Sequence, residues 1–466
     1  MSGLFGSLNA SVSAMSAQSR SIEIAGKNLA NVNNSSYARQ RVIYGDRGTV
    51  ITPDGAESLG LEALGVQQMR DALLDRQVMR EGSLSAYYTT MQSGYQGAQA
   101  GLGQTVASAS STSSGNSSTD TGIGAALDDF FNSFQSLAAN PTDTGQRQAL
   151  VQGTSILTDR LQQANQNLTQ TQSDLDARIG SDVTTANGLL STIAGINAQI
   201  ARFEVNNPGS AVDLRDQREA ALEQLAAKVP VTVTDTTRGQ IQVSVKDSGG
   251  NDVALVTDGA VTNALGYDGT NVTAGSPPVV LALASGSIQG ALDARNGAVQ
   301  TIIANLNSLS SQLVTSVNKA YGGSFFDPAG TTAGTIALAS SVTPGNLQAG
   351  IGAAGDNSIA TAIAQLANQK FSTAGSPPDA IDGTFATFYS GAVSNLGQAL
   401  AGTNASVTNQ TNIATIVQTQ RDSVSGVNLD EEMANLMTYQ RAFQASSRVF
   451  TTIDTLLDVV VNQLGK

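Results

Sequence analysis

The side chains that most often do chemistry are missing from this chain. Its 466 residues include no histidine and no cysteine. That removes imidazole acid–base catalysis, Ser-His-Asp and Cys-His pairs, thiolate chemistry, disulfides and the commonest zinc ligands. Carboxylates remain: 37 Asp and Glu against 24 Lys and Arg, a net charge of −13. Asp128 and Asp129 are adjacent, and adjacent helical residues point ~100° apart, so they read as solvated charges on a helix face. The run Asp247-Ser248-Gly249-Gly250-Asn251-Asp252 lacks the spacing of a calcium loop and reads as a hairpin turn. Asp213-Leu214-Arg215-Asp216-Gln217-Arg218 reads as a capped helix start with surface ion pairs, each worth little. A glycosidase using two carboxylates is the enzyme reading to test, and no paired-acid constellation supports it. The expectation is a non-enzyme without catalytic, cofactor or metal residues.

The elements that would have to carry a function point elsewhere. Charged residues make up 13% of the chain, about half the usual ~25% of soluble domains. The acidic balance argues against a nucleic-acid-binding face. A run of 18 apolar residues is absent, which predicts no membrane insertion. The first cation is Arg20, so no basic region precedes the first apolar residues and no cleavable secretory signal is visible. A surface adhesin or other secreted passenger usually carries a signal peptide or repeats, and neither is apparent.

The strongest pattern lies at the chain ends. Leu429, Leu436, Phe443, Phe450, Leu457 and Leu464 recur every seven residues, a heptad seam. With no proline after Gly426, a helix of roughly 36 residues, about 54 Å long, is predicted. Polar residues at Gln440, Ser447 and Asp454 argue against an ordinary zipper. Val449, Phe450, Ile453, Leu456, Leu457, Val459, Val460, Val461 and Leu464 spread over an arc of about 200°, too wide for one partner helix. Leu4, Leu8, Val12, Met15, Ile22 and Leu29 supply a matching stripe at the N-terminus. The pairing would leave part of the C-terminal face open for neighbouring molecules. The predicted assembly seam is thus Leu4, Leu8, Val12, Met15, Ile22, Leu29, Leu429, Leu436, Phe443, Phe450, Ile453, Leu457, Val460 and Leu464.

Between the ends, helical spacing covers Val66 to about Gln104, Gly124 to Asn140, Gln148 to about Val205, Asp213 to Lys228, Ile288 to Val317 and Phe385 to Val424. From Pro230 the period changes to two, with Val231, Val233, Ile241, Val243 and Val245 alternating with polar residues. The predicted fold class is mainly α and multi-domain. Residues 1–34 and 427–466 form a coiled-coil-like terminal domain. Residues 35–228 and 286–426 form a helical-bundle body, with 322–378 unassigned, and 229–285 are a small inserted β-rich domain.

Several blocks resemble the bacterial flagellar axial proteins, the rod, hook and hook-associated family. Asn28-Leu29-Ala30-Asn31-Val32-Asn33 followed by Tyr37 and Arg39 is similar to the family's N-terminal signature, departing at Ser35-Ser36, where the family usually has Pro-Gly. The block from Gly124 through Phe130-Phe131 to Asn140-Pro141 resembles the hook-associated members that sit at the hook–filament junction. Gly426 to Glu432 and Tyr439-Gln440-Arg441-Ala442-Phe443 match the family's last helix. The resemblance implies a structural subunit outside the cell, in a homo-oligomeric layer between hook protein and the next hook-associated junction protein. It also implies export through the flagellar type III channel, with a cytoplasmic chaperone on the C-terminal helix until then. The alternative within the family is another axial protein such as flagellin or hook-associated protein 3.

Overall fold

A computed structural model describes residues 2–34, 36–52, 55–58, 60–103, 122–353 and 355–459. In chain order the elements are α1 (Ser2–Ala30), β1 (Gln40–Asp46), β2 (Thr49–Thr52), β3 (Gly55–Ser58), β4 (Leu61–Gln68), α2 (Ala72–Gly101), α3 (Ile123–Ala139), α4 (Thr144–Phe203) and α5 (Val212–Lys228). Then follow β5 (Thr232–Asp235), β6 (Ile241–Lys246), β7 (Asp252–Thr257), β8 (Ala260–Val261), β9 (Leu265–Tyr267), β10 (Val272–Ala274) and β11 (Val279–Val280). The chain closes with α6 (Gly286–Ala294), α7 (Gln300–Tyr321), α8 (Ser358–Gln365), α9 (Phe385–Ser425) and α10 (Leu429–Asp458). It is a mainly α, multi-domain fold with long terminal helices and small antiparallel sheets.

The chain divides into two compact units. The first holds residues 1–84, 183–284 and 410–466, and the second holds 85–182 and 285–409. The β-rich residues 229–284 group with the chain termini in the first unit. Side chains account for that grouping. Asn197 on α4 donates to the carbonyls of Ile241 (2.8 Å) and Asp258 (2.7 Å). Arg218 on α5 donates to Gly239 O (2.8 Å). These bonds hold the β5–β6 and β7–β8 turns of the meander against helices.

In the first unit α1 packs along α10 and lies on β1 and β4. β1 and β4 pair antiparallel in the register Val42↔Val66 and Gln40↔Gln68, with a bulge between Ile43 and Tyr44. Residues 66–68 are therefore strand, where helical spacing was expected from Val66. Backbone pairing with β1 outweighs the local pattern there. The helix starts only at Ala72, where Asp71 Oδ1 accepts from the amides of Leu73 (2.8 Å) and Leu74 (3.4 Å). The same device sets the start of α4 at Thr144, with Asp143 Oδ1 accepting from Gly145 N at 2.7 Å.

The second unit is organised by aromatic rings. Phe130 and Phe134 on α3 are fully buried, as are Phe325, Phe326 and Phe385. Phe130 meets Phe134 edge-on at 5.2 Å, Phe134 sits 5.3 Å from Phe325, and Phe131 stacks on Phe385 at 5.6 Å. The segment 322–357, unassigned from sequence, is largely irregular, yet Phe325 and Phe326 within it complete this core. It leaves α7 through Gly322, whose φ of 72° provides the left-handed turn that ends the helix. A close crossing between α6 and α2 depends on Gly290, where a Cβ would lie 2.3 Å from the Tyr87 carbonyl oxygen.

Candidate assembly interface at the paired chain termini

The C-terminal helix opens on Asn428, whose side chain accepts from the amides of Asp430 (3.0 Å) and Glu431 (3.3 Å). This cap places three acidic residues, Asp430, Glu431 and Glu432, in the first turn, where the helix dipole favours negative charge. Glu432 turns inward and is 3% exposed. One of its oxygens accepts from Arg39 Nε at 2.7 Å and the other from Asn28 Nδ2 at 3.0 Å. Arg39 also reaches Glu431 (3.0 Å), and its backbone amide donates to Ser425 O at the end of α9 (2.8 Å).

Asn28 is the hub of this clamp. It is 1% exposed, and its amide uses all its capacity. Nδ2 donates to Gln40 O (2.9 Å) as well as to Glu432, while Oδ1 accepts from Tyr37 Oη (2.8 Å) and Gln40 N (3.0 Å). The end of α1, the start of β1 and the first turn of α10 are thereby joined in one satisfied polar network. Burial works against the Arg39 charge, but hydrogen bonds and charge from Glu431 and Glu432 outweigh it and raise its pKa. Burial, reinforced by Asp216, Asp213 and Glu432, pushes the Tyr37 hydroxyl well above its usual range, so it remains a proton donor to Asn28.

Beyond the clamp the helices are held by apolar contact, and the predicted seam residues fall into three groups. Ile453 and Leu457 are buried. Leu8, Met15, Ile22, Leu29, Leu436, Phe443 and Phe450 are half-buried, while Val12 and Leu429 are exposed. Val460 and Leu464, and the side chain of Leu4, lie outside the described residues. The most buried line on α1 is Ser21, Ile24, Ala25 and Asn28, offset from the predicted heptad positions. Small and polar residues occupy it because α1 contacts β1 and β4 there as well as α10. Next to the buried Ile453 and Leu457, α10 leaves Val449 (51%) and Leu456 (50%) half in water. Nearer its start Met433 and Met437 are similarly exposed. Large apolar side chains left half in water along one helix are a surface that can accept further helices.

Sequence reading missed the clamp as a unit. Its residues did appear in the two family-like blocks, Asn28 to Arg39 and Gly426 to Glu432. The available signal was that both polar blocks sit at the inner ends of helices that are otherwise apolar. Nothing in spacing alone says that residues 28 and 432 meet. Among the described residues no group of three or more acidic side chains is arranged to hold a metal ion, and no helix is long and apolar enough to cross a membrane.

The family model described as flagellar hook-associated protein FlgK helical domain matches residues 113–334. That of the flagellar basal body rod FlgEFG protein C-terminal matches residues 418–464, which span α10. Flagellar hook-associated protein 1 of Bacillus subtilis (strain 168) is 26% identical over 524 residues, covering 100% of this chain and 99% of the relative. The protein of the same description from Escherichia coli (strain K12) is 23% identical, over 98% of this chain and 99% of its own. Among solved structures, the flagellar hook junction protein FlgK from Burkholderia pseudomallei aligns with a TM-score of 0.44 and 22% identity, over 54% of this chain and 44% of that one.

Proposed function

We propose that this chain is a member of the flagellar hook-associated protein 1 family and builds the structural layer joining hook to filament. It is a structural flagellar protein that associates with hook and filament components. The observation that carries this reading is likeness from end to end, over 100% and 98% of the chain in two distant organisms. Flagellin or hook-associated protein 3 is disfavoured, because the match over residues 113–334 is to the FlgK helical domain specifically.

In this proposal copies of the chain form a homo-oligomeric layer, with hook protein on one side and the next hook-associated junction protein on the other. The subunit leaves the cell through the flagellar type III channel. A cytoplasmic chaperone covers the apolar face of α10 until export, and the layer is required for filament growth on the hook. The outward-facing part of the predicted seam, together with Val449 and Leu456, forms the contact surface between subunits, while the clamp fixes how α1 and α10 present it. The chain performs no catalysis.

Immunolabelling of intact flagella tests the reading. Label confined to the hook–filament boundary is expected, and cells lacking the protein should shed filament subunits into the medium. Label along the filament shaft, or normal filaments without the protein, would overturn it.

A further inference from the structure

Beside α5 in the first unit, ionisable side chains crowd together with more negative than positive charge. Arg70 precedes α2 and is shared: Nη2 donates to Asp216 Oδ1 (2.7 Å) and to Ser36 O (2.6 Å), and Nη1 to Asp75 Oδ2 (3.2 Å). Arg421 on α9, 3% exposed, pairs with Glu223 and lies 3.7 Å from Asp422. Arg218, itself buried, is bonded to neutral acceptors, Asn197 Oδ1 (2.9 Å) and Gly239 O (2.8 Å). Glu219 is left without a guanidinium of its own. Three carboxylate oxygens here are buried with no hydrogen-bond partner among the described residues: Glu219 Oε1, Asp75 Oδ1 and Asp216 Oδ2.

The remaining charges around the cluster do not balance it. Lys27 of α1 is bonded to Asp213, and Arg215 forks onto Glu204 at 3.0 and 2.8 Å. Asp235, at the end of β5, adds another carboxylate to the lining of the adjoining cleft. Tyr37 faces the same cluster as a neutral hydroxyl. An unpaired carboxylate in such a place is destabilising, and the simplest remedy is a proton.

We propose that this cluster is a proton-operated latch. A proton held on Glu219 in the folded chain ties α5 to the start of α2, and its loss above neutral pH loosens that attachment. Residues Asp75, Arg218 and Glu219 line a cleft of about 620 Å³ that is open to solvent, so the proton can exchange without unfolding. Burial first, then the charge of Asp75, pushes the Glu219 carboxyl up to about 7, with Arg70 opposing. Burial raises Asp216 and Glu223 as well, against the pull of Arg70 and Arg421 respectively. The folded chain thus binds the Glu219 proton more tightly than the unfolded chain does. The resulting stability is fully present below the ordinary carboxylate value of 4.5 and is lost as pH rises through about 7. The latch is a property of the free subunit and does not depend on the assembly reading above.

The test is urea unfolding of the full-length subunit from pH 5 to 8.5, for the parent chain and for Glu219→Gln, whose neutral amide imitates the protonated acid. The parent should lose more stability than the variant between pH 5 and 8, since Asp216 and Glu223 titrate in both. The ratio of their unfolding equilibrium constants should change by up to about a hundredfold over that window, because the proton is bound by the folded chain alone through most of it. Parallel profiles would overturn the proposal, since a purely packing role for Glu219 would displace the variant's profile by the same amount at every pH. Carboxyl carbon NMR of the parent chain reads the group directly and stands even where the variant does not fold. A Glu219 midpoint near 7, moving down in Asp75→Asn, supports the latch, and a midpoint near 4.5 overturns it.

Discussion

The aromatic core of the second unit and the helix pair at the chain termini solve the same problem to different degrees. Around α3, five phenylalanines are fully buried within one chain, and ring meets ring at 5–6 Å. Along α10, the large apolar side chains of Met433, Met437, Val449 and Leu456 remain about half in water. The first region has closed its core. The second is held at one end by a polar clamp and carries apolar surface that the single chain does not cover. An element meant only to fold has no reason to keep such surface, whereas one meant to assemble needs it. The contrast also explains the division of labour in the sequence. Phenylalanine gathers around α3, and methionine, valine and leucine with polar neighbours make up the most exposed apolar side chains of α10.

The comparison breaks most visibly if the aromatic core is damaged. Phe134→Ala removes a fully buried ring in contact with Phe130 and Phe325, which should cost about 3–5 kcal/mol. Urea unfolding of the free subunit should show a large fall in midpoint. A loss below about 1 kcal/mol would mean that the neighbouring rings collapse into the space and that the core is less finished than its burial implies.

A smaller effect is expected at the clamp. Glu432→Ala strips Arg39 of its shorter ion pair and leaves one Asn28 donor without a partner, both largely out of water. Breaking a buried pair by removing one member costs about 3–5 kcal/mol, here brought below that range because Arg39 keeps Glu431. The loss should be local. Hydrogen exchange should quicken in the first turns of α10 and at the end of α1, while amides of α3 keep their protection. Equal loosening of both regions would show that the clamp supports the whole chain rather than the terminal pair.

How much of this was legible beforehand depended on whether the cause was local. The long helices follow from spacing: α5 and α9 appear almost where periodicity puts them, at 212–228 and 385–425. The switch to strands after Pro230 was equally readable, because alternation is a property of consecutive residues. Residues 66–68 were not, since their strand exists only through pairing with residues 40–42. The heptad at Leu429, Leu436, Phe443, Phe450 and Leu457 announced the terminal helix pair. The buried line of α1 runs through Ser21, Ala25 and Asn28, because β1 and β4 also press on that helix. Long-range polar pairing was the least legible. Asp216 looked like a surface ion-pair residue at a helix start, yet it is 8% exposed and bound to Arg70.

The smallest effect on the free subunit, and the one that separates assembly from folding, is expected at Leu456→Asp. Leu456 is 50% exposed in the single chain, one residue from the buried Leu457 and three from the buried Ile453. Charge placed there remains hydrated in the monomer, so unfolding should change by no more than about 0.5 kcal/mol, as for surface substitutions generally. In a subunit layer the same side chain would be pressed against a neighbour. An unpaired charge excluded from water costs several kcal/mol, enough to reduce association many-fold. Cells making only this variant should therefore export it, yet fail to retain filament subunits on their hooks, and the purified variant should unfold like its parent. Normal filaments would remove Leu456 from the contact surface. Leu457→Asp provides the control, because that buried position should weaken the monomer itself. If Leu456→Asp weakened the free subunit as much as Leu457→Asp did, the exposed flank of α10 would be part of the fold, and the contrast with the aromatic core would disappear.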